Sequence, residues 1–385
     1  MLKLSEPYFF GNELKFLKKC LKDKWISLGG KFTKSFEVKM RKFSNGKFNI
    51  GLINCTSALQ LAIRLLNPKI DDEIILPSIT FIATPNSIIY NNCKPIFVDC
   101  DNQLLLDKKK FFLYIKQSTY FQNGFTFNKK TNKRILAVVI VNTFGNLFEY
   151  DNKFLSLCKK KNIKIIEDSA ESLGSYYKKK KKIKNIAFSC YSFNGNKLVT
   201  SGGGGVISTN NKKNYLKAMY LSSQAKNNSV YFIHNEVGYN FRISNLHAAI
   251  ALAQIQNLPK VLKKKGEIHK LYIKKINNIS GLKILQNPQY CTSNNWLNVL
   301  IIDKKKYGLS KEKIIKEFLK LNIETRSLWY PCHLQKSLKN YEAFQIKNSN
   351  FMYKSCLCLP SSYNLKLKDQ KKIISCLENK FNQIK

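Results

Sequence analysis

Lys197 closes the run Tyr191-Ser192-Phe193-Asn194-Gly195-Asn196-Lys197, and four successive glycines, Gly202 to Gly205, follow a few residues later. Such a glycine run gives a backbone that can approach a ligand closely or take φ > 0 repeatedly. Neither G-x-x-x-x-G-K-[ST] nor a G-x-G-x-x-G between strand and helix is present, so a phosphate loop is not indicated. The glycines lead instead into Val206-Ile207-Ser208, a strand, and a tight turn accounts for them equally well. A second element, Glu167-Asp168-Ser169-Ala170-Glu171, follows the apolar segment Ile163 to Ile166. Ligands of open α/β sheets bind at the carboxyl ends of strands, so an acid there faces the crevice, although Asp168 also suits the cap of a following helix. The third element, Asn54-Cys55-Thr56-Ser57-Ala58-Leu59, joins a strand to a helix. It offers either a phosphate site of free N–H groups and two hydroxyls, or simple N-capping by Thr56 or Ser57.

One cofactor needs all three. Pyridoxal phosphate requires a Schiff-base lysine, a carboxylate that keeps its ring nitrogen protonated, and a helix N-terminus for its phosphate. The chain supplies them at strand ends in the order phosphate helix, acid, lysine.

The elements that must position these groups follow from the apolar pattern. Phe48 to Ile53 reads as a strand and Thr56 to Leu66 as a helix with Leu59, Leu61, Ala62 and Leu65 on one stripe. Strands are predicted at Glu73 to Leu76, Pro95 to Val98, Leu136 to Val141 and Ile163 to Ile166, and helices at Phe81 to Tyr90 and Asn152 to Lys160. Continuous apolar strands separated by helices imply a parallel sheet covered on both faces. Residues 118 to 134 form an excursion between a helix and a strand. A long helix is predicted from Leu246 to Lys275, bent near Pro259. Trp296 to Ile302 as a strand, with helices at Lys311 to Leu321 and Asp369 to Phe381, completes a smaller α/β unit.

Composition narrows the class. Sixty-six Lys and Arg against 24 Asp and Glu leave a net charge of +42. These charges are spread along the chain rather than gathered in a patch, which argues against a nucleic-acid partner and for a compositional tint. The densest run, Lys178 to Lys182, is predicted on a surface hairpin or loop. A positive field also favours a substrate carrying a diphosphate. Eleven cysteines without a C-x-x-C pair, and four histidines without a cysteine at ligand spacing, point to reduced buried thiols and to no metal. The first ten residues lack a signal-peptide stretch, and the longest apolar run, Ile135 to Val141, is too short to span a bilayer. A soluble cytoplasmic protein without a membrane partner is expected.

The segments N-C-T-S-A-L (54–59), L-P-S-I-T-F-I-A-T (76–84), E-D-S-A-E-S-L-G (167–174) and S-F-N-G-N-K (192–197) together resemble the sugar aminotransferases of the DegT/DnrJ/EryC1/StrS family. The resemblance runs from Gly11-Asn12-Glu13 to Leu359-Pro360-Ser361-Ser362. Within the family the chain looks closest to the LegC-like enzymes of legionaminic-acid and bacillosamine-type pathways, through Leu76-Pro77-Ser78, Asn142 to Asn146, the glycine run and Glu236 to Arg242.

The resemblance implies the pyridoxal-phosphate transferase fold of type I. Its large domain, residues 1–255, would hold a mostly parallel seven-stranded sheet flanked by helices, with a smaller C-terminal α/β domain at 256–385. It implies a ping-pong transamination in which glutamate is the donor and Lys197 shuttles a proton. Asp168 would pair with the ring nitrogen, Phe81 would stack on the ring, and Glu171 would lie at its hydroxyl side. Thr56, Ser57 and Ser192 would hold the phosphate, joined by Asn240 from the other subunit of a homodimer with shared active sites. Arg326, Trp329 and His333 would line the sugar-nucleotide pocket. The expected acceptor is a UDP-linked 4-keto-6-deoxy-N-acetylhexosamine, giving a 4-amino-4,6-dideoxy sugar for surface glycans. A GDP-linked or 3-keto sugar would keep every motif. Cys55 stands where the family usually has glycine, Glu171 where glutamine is frequent, and Gly203 or Gly204 where the T-T-G-E-G-G form has glutamate.

Overall fold

The computed structural model describes residues 1–179, 183 and 185–381. Its large sheet is built from β1 (Phe48–Leu52), β2 (Glu73–Pro77), β3 (Lys94–Val98), β4 (Ile135–Val141), β5 (Lys164–Asp168), β6 (Ile186–Ser192) and β7 (Gly205–Thr209). Neighbours run in the order β1-β7-β6-β5-β4-β2-β3. Pairing is parallel from β6 to β3, while β7 is antiparallel to both β6 and β1. This arrangement is the mostly parallel α/β architecture that the apolar runs imply.

Burial explains the continuous apolar strands. Ile74, Leu76, Val139 and Ile166 join a core on one face with the helix α1 (Cys55–Arg64), whereas Ile75, Val138, Ile140 and Ile165 join a second core on the other. Side chains alternate across a strand, so a strand covered on both faces must be apolar throughout. The helix α2 (Ala83–Ile89) packs on the α1 face through Ile88.

Because β7 alone runs backwards in this set, its first residue lies at the same sheet edge as the last residues of β1, β5 and β6. The register states this directly: Leu52 opposes Gly205, Gly205 opposes Ser192, Cys190 opposes Asp168 and Asp168 opposes Val141. Three segments far apart in sequence thus end side by side.

The C-terminal part adds a four-stranded antiparallel sheet with its own core around Ile284, Leu300, Phe318 and Leu357. Its strands are β8 (Leu282–Ile284), β9 (Asn298–Ile302), β10 (Arg326–Ser327) and β12 (Cys356–Leu359). Between β10 and β12 the chain returns to the large sheet, where the two-residue strand β11 (Ala343–Phe344) pairs with β3 as an eighth strand. Two residues carry too little periodicity to be read in advance.

The other differences are local. The long helix expected from Leu246 to Lys275 is two, α3 (Asn245–Gln256) and α4 (Leu258–Ile276), divided at Asn257, with Pro259 inside the first turn of α4 where its missing N–H costs nothing. Residues 118 to 134 contain a hairpin, Thr119–Gln122 against Phe125–Asn128. All eleven cysteines are free and buried. Of the run Lys178 to Lys182, residues 180–182 lie outside the described residues.

Candidate active site

Asp168 ends β5 on the α1 face and is 5% exposed. Its Oδ2 accepts the Thr84 hydroxyl at 2.7 Å, and its Oδ1 accepts the Ala170 N–H at 3.1 Å. Thr84 in turn shares a hydrogen bond with Thr80 at 2.8 Å. Burial pushes the Asp168 carboxyl above its ordinary range, against the pull of Thr84, the Ala170 N–H and the Lys197 charge. This buried acid makes no direct ion pair among the described residues, so a cation beside it would be welcomed.

Lys197 follows β6 by five residues, its backbone N–H bound to Asn194. Its Nζ lies 3.2 Å from Glu171 Oε1 and 4.0 Å from the centre of the Trp296 ring. Glu171 is also held by the Phe144 N–H, which donates to Oε2 at 2.8 Å. Burial again raises this carboxyl, with Lys197 opposing. A half-buried lysine between a carboxylate and an aromatic face is held in place, yet close enough to Asp168 and Cys55 for its charge to bear on both.

The N-terminus of α1 completes this edge. Asn54, not Thr56 or Ser57, is the cap: its side-chain oxygen accepts the Ser57 N–H at 2.8 Å. Thr56 and Ser57 therefore sit in the first turn, where the earliest N–H groups lack intrahelical acceptors and an anion is favoured. Ser192, 8% exposed, is two strands away in the same row. The glycine run has a packing reason here. A Cβ on Gly205 would stand 2.4 Å from the Asn54 carbonyl and 2.6 Å from the Cys55 nitrogen, so only glycine lets β7 meet the helix start.

Beside these groups opens a cavity of about 500 Å³, lined among others by Leu4, Phe144, Asn196, Trp296, Arg326 and Trp329. Phe144, held at φ +53°, stacks on Trp329 with ring centres 4.8 Å apart and planes 6° from parallel. Arg326 is exposed and pairs with Glu324 at 2.8 Å. His333 does not line this cavity. Its Nδ1 is 2.6 Å from the hydroxyl of Ser78, at the end of β2, and burial pushes its ring below the usual histidine range despite Asp99. Phe81, 55% exposed, precedes α2, which starts at Ala83 rather than Phe81. Asn240 is exposed, its backbone bridged to Ser223.

Thus Lys197, Glu171 and Asp168 converge, Thr56, Ser57 and Ser192 share their edge, and Arg326 and Trp329 share the adjoining cavity. Thr84, Phe144 and Trp296 belong to the same constellation and were missed from sequence. The spacing Thr80-x-x-x-Thr84 was the one available signal, and nothing local in the sequence points from Trp296 to Lys197. Among the described residues no group of three His, Cys, Asp or Glu side chains is arranged to hold a metal, and no helix is long and apolar enough to cross a membrane.

Residues 10–378 match the model of the DegT/DnrJ/EryC1/StrS aminotransferase family. The chain belongs to that family. It is 31% identical to EpsN of Bacillus subtilis, named as a pyridoxal phosphate-dependent aminotransferase, over 99% of this chain and 96% of the relative. It is 28% identical to the GDP-perosamine synthase of Vibrio cholerae over the whole of both chains. In fold it matches Helicobacter pylori PseC, an aminotransferase involved in pseudoaminic acid biosynthesis, with a TM-score of 0.87 at 24% identity over all of both chains. The chain is an aminotransferase of this family with its fold, the large mostly parallel sheet and the small antiparallel one.

Proposed function

We propose that this aminotransferase binds pyridoxal phosphate and moves the amino group of glutamate onto a nucleotide-linked 4-keto-6-deoxy-N-acetylhexosamine, UDP-linked, for surface-glycan synthesis of the legionaminic-acid or bacillosamine type. The observation that carries the cofactor is the convergence of Lys197 and Asp168 with the α1 N-terminus at one sheet edge. The residues present fit it: a buried carboxylate short of a cation, a half-buried lysine, and a helix start in the same row as Ser192. When bound, the cofactor supplies the carbon that takes up and releases the amino group and the conjugated ring that holds the electron pair.

The chain's own groups do the rest. Asp168 faces the ring nitrogen, and its buried charge favours a proton there; Thr84 and the Ala170 N–H hold the carboxylate oriented. Thr56, Ser57 and Ser192 take the phosphate. Glu171 and Trp296 fix the Lys197 Nζ, which removes a proton from the glutamate Cα and later delivers one to the sugar carbon. Phe81 covers the ring. Arg326 is suited to the diphosphate, and Trp329, stacked on Phe144, gives the sugar or base a flat wall; His333, bonded to Ser78 after β2, would reach the substrate from outside that cavity. In this reading residues 1–255 hold the cofactor and residues 256–385 close the sugar side.

A second copy of the chain completes the site. Asn240 is exposed on a segment that also exposes Val230, Tyr231, Phe232 and Val237, each by 69% or more. A homodimer covers these side chains and carries Asn240 to the partner's phosphate.

The likeness to a GDP-perosamine synthase supports a second acceptor, a GDP-linked 4-keto-6-deoxymannose. Incubation with ¹⁵N-glutamate and each keto-sugar nucleotide, followed by mass spectrometry, separates the two. Label in the UDP-sugar product is expected. Label only in the GDP-sugar product overturns the choice of acceptor, and label in neither overturns both.

A further inference from the structure

Lys265, in α4, is 3% exposed, and no acidic side chain pairs with it among the described residues. Its ammonium donates to the Trp296 carbonyl at 2.7 Å and to the Ser361 carbonyl. Tyr272, two turns along the same helix, donates to the adjacent Pro360 carbonyl at 2.9 Å. Burial lowers the Lys265 pKa to about 7. A buried ammonium without a counter-charge costs several kcal/mol, and two carbonyl dipoles offset only part of that. An apolar side chain would fill the space more cheaply, so the position of the bonded carbonyls is the feature to explain.

One of those carbonyls leads to Lys197. The Trp296 ring lies 4.0 Å from Lys197 Nζ, and the Trp296 Nε1–H donates to the Asn196 carbonyl at 2.9 Å, one residue before Lys197. The indole also packs on Phe144, with centroids 6.0 Å apart, and the Phe144 N–H holds Glu171. Trp296 therefore touches both the lysine and the support of its carboxylate partner. Trp296 precedes β9, which begins at Asn298, so no strand ladder fixes its carbonyl. Lys265 does.

We propose that Lys265 is a positioning residue: by gripping the Trp296 carbonyl it sets the indole that holds Lys197 against Glu171. This rests on the role given to Lys197 above. Lys265 itself touches neither substrate nor cofactor in this assignment. Hydrogen bonds from a charged donor are worth about 1.5–3 kcal/mol, so their loss, passed to Lys197, corresponds to about a 10- to 100-fold fall in kcat.

The test reads Trp296 directly, in a chain whose other two tryptophans are replaced by Trp25→Phe and Trp329→Phe, without cofactor. Lys265→Met should red-shift and alter the intensity of Trp296 emission, and Lys265→Arg, which keeps two donors, should restore it. In the otherwise native holoenzyme Lys265→Met should lower kcat by about 10- to 100-fold, yet add less than about threefold when Trp296 is already Phe, because a group acting through another is non-additive with it. If the methionine variant does not fold, Lys265→Gln, which is uncharged and one bond too short to reach both carbonyls, takes its place in every arm. Unchanged emission, or an undiminished loss in the Trp296→Phe background, overturns the proposal. An emission change without any transamination would retain the Lys265–Trp296 link and reject the proposed function instead.

Discussion

Lys197 places its Nζ 3.2 Å from Glu171 Oε1, with the two side chains only 14% and 6% exposed. The contact is short and partly buried, and the Phe144 N–H holds the other carboxylate oxygen. On the proposed mechanism Lys197→Ala abolishes transamination while leaving the fold. Glu171→Gln, which still accepts the Phe144 N–H through its amide oxygen, should keep activity within about tenfold, since about 1.4 kcal/mol is at stake. Glu171→Leu, which leaves that N–H and Lys197 unpaired, should lose about 100-fold or more. Steady-state rates for the three variants check this, and turnover by Lys197→Ala would refute the role of the lysine.

Asp168 depends on Thr84 for its orientation. Thr84→Val removes the 2.7 Å hydrogen bond without changing shape, and should lower kcat by about tenfold, the loss of one bond to a charged acceptor. Asp168→Asn should cost about 10²–10⁴-fold, the range for a group that controls proton placement. Equal rates for wild type and Thr84→Val would show that the carboxylate is held by other means.

Gly205 tests the meeting of β7 with the helix start. Gly205→Ala would press a methyl group against the Asn54–Cys55 backbone, costing about 1–3 kcal/mol of stability and weakening cofactor retention. Gly195→Ala, where a Cβ meets nothing within 4 Å, is the control and should do neither. Thermal melts and dialysis of the cofactor distinguish the two variants.

The proposed shared site predicts complementation. Lys197→Ala and Asn240→Asp chains, each inactive alone, should regain activity when unfolded and refolded together. A mixed dimer contains one site whose lysine and asparagine are both native. Absence of recovery, with mixed dimers demonstrated, would place both residues of a site on one chain.

Acid stability should trace to Asp99. Burial raises its carboxyl, but the Lys110 ammonium, the Ser349 hydroxyl and the N–H groups of Lys347 and Ser349 outweigh burial and bring it from 3.8 to about 2. A depressed acid binds fewer protons in the folded state, so its contribution is complete above about pH 4 and is lost as pH falls from there towards 2. Melts recorded across that window should show a steeper loss for wild type than for Asp99→Asn. Parallel curves would remove Asp99 from the account.

Much of the large sheet was legible because its strands are buried on both faces and so are apolar throughout, as in Ile135 to Val141. The placing of the helix start at Thr56 and Ser57 with Asp168 and Lys197 at strand ends was legible as well, since strand ends in a parallel sheet share an edge. What escaped was set by contacts across the chain. The helix before the break at Asn257 is buried nearly all round, so no change of period marks its end, and Ala343–Phe344 is a strand only because β3 offers an open edge. Trp296 and Phe144 reach Lys197 and Glu171 by tertiary packing, for which no local spacing exists. Asn54 took the capping role from Thr56 and Ser57 because the turn begins one residue earlier than the apolar stripe.

The most direct test of the central claim is the absorbance spectrum of the purified chain with pyridoxal phosphate, before and after glutamate and then after the UDP-linked 4-keto-6-deoxy-N-acetylhexosamine. The account predicts a visible band, absent in Lys197→Ala, that fades with glutamate and returns with the keto-sugar. A spectrum with no band in the native chain, or a band unaffected by Lys197→Ala, would contradict it.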